Sequence, residues 1–137
     1  MTKLRHATSN FCRIEPLVDA ADRRDGYVSI VNEPYTRLVV ERLGWHDYKG
    51  RPVYYLAHYS EMNGDLMADP CVEFSVDYKA GTIEPQNYRN DYLGKFDEVY
   101  IERDGKTLYS QRLRVSIDEF LHTWLENLKW QGFFEKI

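Results

Sequence analysis

The chain predicts an α+β domain: an antiparallel sheet of six to seven strands in meander order, N-terminal helices ahead of it, and a C-terminal amphipathic helix packed on one face. Three observations carry this expectation. Val72, Phe74, Val76 and Tyr78 alternate with Glu73, Ser75 and Asp77, the period of a half-buried strand. Asp104-Gly105 separates the strand-like runs Phe96 to Arg103 and Lys106 to Ser110, and these residues suit the positive φ of a tight hairpin turn. Ile117, Phe120, Leu121, Trp124, Leu125 and Leu128 form one apolar stripe at helical spacing. Ser116 and Glu119 match a capping box ahead of it, and Gly132 ends it.

The remaining elements follow in order. Leu4, Ala7, Phe11 and Ile14 recur at helical spacing, so a first helix is predicted over Lys3 to Ile14. Pro16 is unsuited to a helix interior but suited to a first turn, which predicts a break at Glu15-Pro16 and a short second helix closed by Gly26. Strands are expected over Tyr27 to Val31, Thr36 to Leu43, Pro52 to Ser60, Val72 to Tyr78 and Thr82 to Tyr88. Between them lie the turn Asn32-Glu33-Pro34-Tyr35, the loop Trp45 to Gly50, a polar loop from Glu61 to Pro70, and a loop from Arg89 to Gly94. No repeat or linker divides the chain, so residues 1–137 read as one domain.

Composition narrows the function classes. Hydrophobic residues make up 43% and charged residues 29% of the 137, a globular balance. The net charge of −4 offers no chain-wide attraction for nucleic acid. No apolar run is long enough for a membrane span or the core of a signal peptide, so a cytoplasmic protein without membrane contact is expected. Cys12 and Cys71 form no metal-type cluster and read as free, buried thiols. Tyrosine is abundant, with 11 copies, which fits a sheet with a half-exposed aromatic face or a partner-binding surface.

The densest group of titratable and turn-forming residues is Ala57-His58-Tyr59-Ser60-Glu61-Met62-Asn63-Gly64-Asp65-Leu66-Met67-Ala68-Asp69-Pro70. His58, Asp65 and Asp69 are candidates for acid–base or metal-assisted hydrolysis, with Asp91 joining them if the loops meet at one end of the sheet. Their spacing matches neither a zinc nor a calcium ligand pattern, and no metal or cofactor is expected. The plainer reading makes Asn63-Gly64-Asp65 a turn and Asp69 a loop brace. No nucleophile elbow and no glycine-rich phosphate loop occurs. Arg103, Lys106, Arg112 and Arg114 form a local basic edge that would suit phosphate or simply stay solvated. Trp130 falls opposite the apolar stripe of the last helix, beside Phe133 and Phe134; either the tail folds back over it or a partner covers it.

Four separated blocks resemble one known family. They are Pro34-Tyr35 with Leu38 to Glu41; the Ala57–Pro70 run with Phe74; Asn90-Asp91-Tyr92-Leu93-Gly94; and Phe120, Trp124, Asn127-Leu128 and Gln131-Gly132-Phe133. They are similar to an uncharacterised family of small proteins carried by bacterial plasmids, integrative elements and prophages. The resemblance spans about residues 26 to 134 and leaves the first 25 outside it. It implies a setting among accessory genes of mobile elements and assigns no catalytic roles.

The resulting expectation is a cytoplasmic protein-binding module, in its most concrete form a counter-defence inhibitor, with Tyr59, Asn63, Asp65, Asp69, Tyr92 and Trp130 at its surface. The alternatives are a hydrolase using His58, Asp65, Asp69 and Asp91, and a nucleic-acid binder using stacked tyrosines and the basic edge.

Overall fold

Alternation along the central strands decides which residues meet the helices. The computed structural model describes residues 1–137. In chain order it holds α1 (Ala7–Asp22), β1 (Tyr27–Ile30), β2 (Leu38–His46), β3 (Pro52–Met62), β4 (Asp65–Asp77), β5 (Thr82–Asn90), β6 (Lys95–Glu98), β7 (Tyr100–Arg103), β8 (Lys106–Tyr109), α2 (Gln111–Trp130) and a 3-10 turn (Phe133–Lys136). β1 to β6 form one sheet in sequence order, every neighbour pair antiparallel, and β7–β8 form a separate two-stranded sheet. The α+β class and the meander are as expected.

Alternate residues Leu38 and Val40, Tyr54 and Leu56, and Val72 and Phe74 share one apolar cluster with Ile14 and Leu17 of α1 and Leu121, Leu125 and Leu128 of α2. The other strand phase carries a smaller cluster of Ala57, Ala68 and Cys71 beneath Tyr55 and Tyr59. One sheet phase thus shares its apolar cluster with residues of both helices, while the other mixes the buried Val39, Val53 and Ala57 with the half-buried Tyr55 and Tyr59.

Four expectations need correction. The N-terminus holds one helix, which runs straight through Pro16. The proline removes one hydrogen bond at about 3 kcal/mol, but it is exposed, and burying Ile14, Leu17 and Val18 contributes about 1.5–3 kcal/mol each. Burial wins. The last helix starts a turn and a half before the Ser116 box, because Ser110 is the cap, its Oγ accepting from the Leu113 N–H at 3.2 Å.

The run Phe96 to Arg103 is two strands. Val99 is buried, donates its N–H to the Gln86 carbonyl at 2.9 Å and accepts from the Ser110 N–H at 2.9 Å, which takes the chain out of the main sheet. The Glu61–Pro70 loop is for the most part strand, since β3 and β4 pair out to Met62↔Asp65. Asn63 and Gly64 close that hairpin with φ of 53° and 84°, the conformation that favours Asn-Gly.

The cysteines also divide. Cys71 is buried as expected, but Cys12 is exposed, on the solvent side of α1; both are free.

Candidate functional site

Within the β3–β4 hairpin the register passes from Ala57↔Cys71 to Tyr59↔Ala68. Two residues, Asp69 and Pro70, therefore stand opposite His58 alone, which is a β-bulge. The β5–β6 loop is fastened to this bulge. Asn90 Nδ2 donates to Asp69 Oδ1 at 2.8 Å, and the Ala68 N–H donates to Asp91 Oδ2 at 2.7 Å. The Asp91 N–H returns a bond to the Ala68 carbonyl at 2.9 Å, and Arg89 pairs with Asp91 Oδ1 at 3.2 Å. Tyr92 reaches Ser60, hydroxyl to hydroxyl, at 2.5 Å.

The fold thus brings Asp69, Asp91 and Tyr92 to one crossing of β3, β4 and β5. Asn63 and Asp65 stay out at the exposed hairpin tip. Asp69 and Asp91 accept from groups that hold the loop, the arrangement of braces rather than of an acid–base pair. Tyr59 lies on the opposite phase from His58, edge-on to Tyr55 at 6.0 Å between ring centroids.

His58 joins a ribbon of rings. Its centroid is 5.5 Å from Trp124 and 5.6 Å from Phe133, and its Nδ1 lies 3.3 Å from the Arg37 carbonyl. The ribbon continues through Phe120, 5.8 Å from Trp124, to Tyr88 at 5.3 Å; at the other end Phe133 meets Tyr35 at 6.0 Å. Burial pushes the His58 imidazole below its ordinary value, so the neutral ring is favoured. Asn32 Nδ2 donates to the Gln131 carbonyl at 2.7 Å and ties the β1–β2 turn to the end of α2.

Tyr35, His58, and Phe120, Trp124 and Phe133 come from stretches far apart in sequence and meet in space along this ribbon. The tail does fold back, through Phe133, which is fully buried. Trp130 stays out in water at 80% exposure.

No group of three or more His, Cys, Asp or Glu side chains is placed to hold a metal ion. Burial pushes the Cys71 thiol up to about 12, leaving it protonated and a poor nucleophile at neutral pH. The expected basic edge loses Arg114, which is buried against Glu84: Nε to Oε2 at 2.6 Å and Nη2 to Oε1 at 2.8 Å. This two-pronged pairing holds the guanidinium above its ordinary value despite burial.

Sequence reasoning missed the polar end of the molecule that surrounds this pair. The Tyr100 hydroxyl donates to Glu84 Oε2 at 2.5 Å, and Gln86 Nε2 donates to Ser75 Oγ at 3.1 Å. Burial pushes the Asp47 carboxyl up, but hydrogen bonds from Ser75 and Arg51 outweigh it and hold the group below its ordinary value. Above these buried groups a cleft of about 460 Å³ opens between the β2–β3 turn and the β7–β8 hairpin. The available signal was Glu84-Pro85-Gln86-Asn87, a strand segment with polar residues on both phases; an inward polar side chain requires an inward partner.

Fold and surface together define an α+β protein built on a six-stranded antiparallel meander with a helix at each end of the chain. Residues 9–134 match the model of a family described as a domain of unknown function (DUF6908), and the chain belongs to that family. The match begins inside α1, so the helical N-terminus is part of the family domain rather than outside it; Ile14, Leu17 and Val18 in the shared core are the physical reason. No curated protein and no solved structure matches the chain.

Proposed function

We propose that this chain is a protein-binding module, a cytoplasmic accessory protein of a mobile genetic element that acts by occluding a host protein, with a defence component as the concrete case. Trp130 carries the reading. It is 80% exposed on the same helix whose Trp124 is 7% exposed, and the tail that was free to cover it buries Phe133 instead. Large aromatic side chains left in water are the residues most often used as anchors at interfaces.

The Asn32–Gln131 bond brings the exposed Val31 and Tyr35 of the β1–β2 turn toward the same end of α2. Of the residues that would have supported a hydrolase, Asp69 and Asp91 are engaged as braces, Asp65 stands apart at the hairpin tip and His58 packs among rings, and Arg114 is withdrawn from any phosphate-binding edge. These facts favour binding by surface over chemistry or nucleic-acid contact.

The test is affinity capture with covalent crosslinking from the host, using wild type beside Trp130→Ala. Because Trp130 is exposed, the substitution changes stability by no more than about 0.5 kcal/mol. A discrete partner held by wild type and lost by Trp130→Ala supports the proposal. No specific partner, or equal capture by both, refutes it.

A further inference from the structure

The cleft at the polar end is lined by aromatic rings and carboxylates. Trp45, Tyr48 and Tyr100 line it, the two tyrosine rings 5.1 Å apart and tilted by 34°. Glu98 and Glu102 line it as well, and neither has a salt-bridge partner or a side-chain hydrogen bond within the chain. No lysine or arginine is among the lining residues; His46 is the only basic one.

The amides add to this polarity. Gln86 turns its Nε2 inward to Ser75, and Asn87 commits its Nδ2 to Glu73 at 2.9 Å, so the amide oxygens are the groups left to accept. The walls are held in place from below. Tyr100 is fixed through Glu84 to Arg114, and Asp47 accepts from the Lys49 and Arg51 N–H groups at 2.9 Å each. Such fixing lowers the ordering cost of binding. A cation is already drawn to the rim: Lys49 Nζ lies 5.6 Å from the Tyr48 ring centroid.

We infer that this cleft binds an organic cation, the alkylammonium or guanidinium group of a lysine or arginine side chain presented by a partner. Aromatic faces attract cations through the ring quadrupole, and unpaired carboxylates beside them add Coulomb attraction and accept the N–H bonds. At about 460 Å³ the cleft lies within the range of ordinary ligand sites and takes a side-chain head group with room for its stem. The partner as source of the cation rests on the protein-binding reading; the cation preference itself does not.

The experiment keeps the two apart by using free model compounds. Uniformly ¹⁵N-labelled protein is titrated with N-acetyl-arginine methylamide, N-acetyl-lysine methylamide, tetramethylammonium, and the neutral citrulline and norleucine amides. The readout is the Trp45 indole N–H and the amides of Asn87 and Glu98. Saturable shifts there with the charged amides, and binding roughly tenfold weaker or absent with the neutral ones, are expected.

Glu98→Gln with Glu102→Gln should weaken the charged amides by roughly tenfold, and Tyr48→Leu by roughly fivefold. Both glutamates are exposed and unpaired, and an otherwise unchanged spectrum verifies that the fold survives. Tetramethylammonium binding as well as the amides supports a cation site whose natural occupant is a free small cation. Weaker tetramethylammonium binding supports a side-chain source. No saturable shift at the cleft, equal binding of neutral analogues, or indifference to the double glutamine change overturns the inference. Capture of a partner through Trp130 is read separately, so either proposal can fail alone.

Discussion

Two ends of this molecule hold carboxylates in opposite ways. At the β3–β4 hairpin Asp65 and Asp69 are exposed and Asp91 half-buried; Asp69 takes one bond from the Asn90 amide, and Asp91 takes the Ala68 N–H together with an ion pair to a part-exposed Arg89. At the other end Glu84 is nearly enclosed and is gripped by Arg114 at two oxygens and by Tyr100 at one. Crowding of polar residues along the sequence marked the first end. The second is assembled from β5, β7 and α2, and no single stretch announces it. Local density of charge signals turns, because turns are wet. Buried charge is instead a long-range agreement between elements.

The largest expected effect breaks that contrast at its strong end. Arg114→Ala leaves Glu84 buried without its cation and should cost about 3–5 kcal/mol in urea denaturation. Replacing both partners together, Glu84→Gln with Arg114→Met, should recover most of that loss. A single-variant loss below about 1 kcal/mol would mean the two ends are energetically alike.

At the hairpin end the effects are smaller. Asp91→Ala strands the Ala68 N–H, which belongs to a fully buried residue, and should cost about 1–3 kcal/mol by the same measurement. Asp65→Asn, at the exposed tip, should stay within about 0.5 kcal/mol. Equal losses for these two would deny that Asp91 is a brace.

The least effect is expected in the pH dependence. Burial lowers the His58 pKa in the folded chain from its ordinary 6.5. Above pH 6.5 the ring is neutral in both folded and unfolded chains and contributes nothing. As the pH falls through that value, the unfolded chain takes up a proton that the folded chain resists, and stability declines until the folded pKa is passed. His122, pushed down by burial and by the neighbouring His6, changes stability in the same direction. The reading is therefore the difference between wild type and His58→Gln. The variant should show a shallower loss below pH 6.5, and identical profiles would remove His58 from the buried ribbon.

Legibility in the sequence followed the range of the interaction. The Val72–Tyr78 alternation, the Asp104-Gly105 turn (φ of 53° and 74°) and the Ile117–Leu128 stripe each depend on neighbours within a few positions, and each was readable. Pro16 was misread because its local penalty was visible while the offsetting burial of α1 was not. Ser116 was misread because a good local pattern had no competitor in view until Arg114 proved to be an inward helix residue. The candidate site was half legible: Asp69, Asp91 and Tyr92 do meet, but as fasteners, while the ring contacts of His58 with Trp124 and Phe133 join residues more than sixty positions apart.

By itself the sequence determined the Val72–Tyr78 strand, the Asn63-Gly64 and Asp104-Gly105 turns, the apolar face of the last helix and the place of Trp130 opposite that face, since backbone preference and side-chain period act within a few residues. Only the tertiary structure decided that Glu84 and Arg114 would neutralise one another out of water, that Val99 would end the sheet, and that Trp45, Tyr48 and Tyr100 would line one cleft with Glu98 and Glu102. Those outcomes depend on which distant groups are brought within a few ångströms, and in a low-dielectric interior that proximity sets both the cost and the strength of every polar contact.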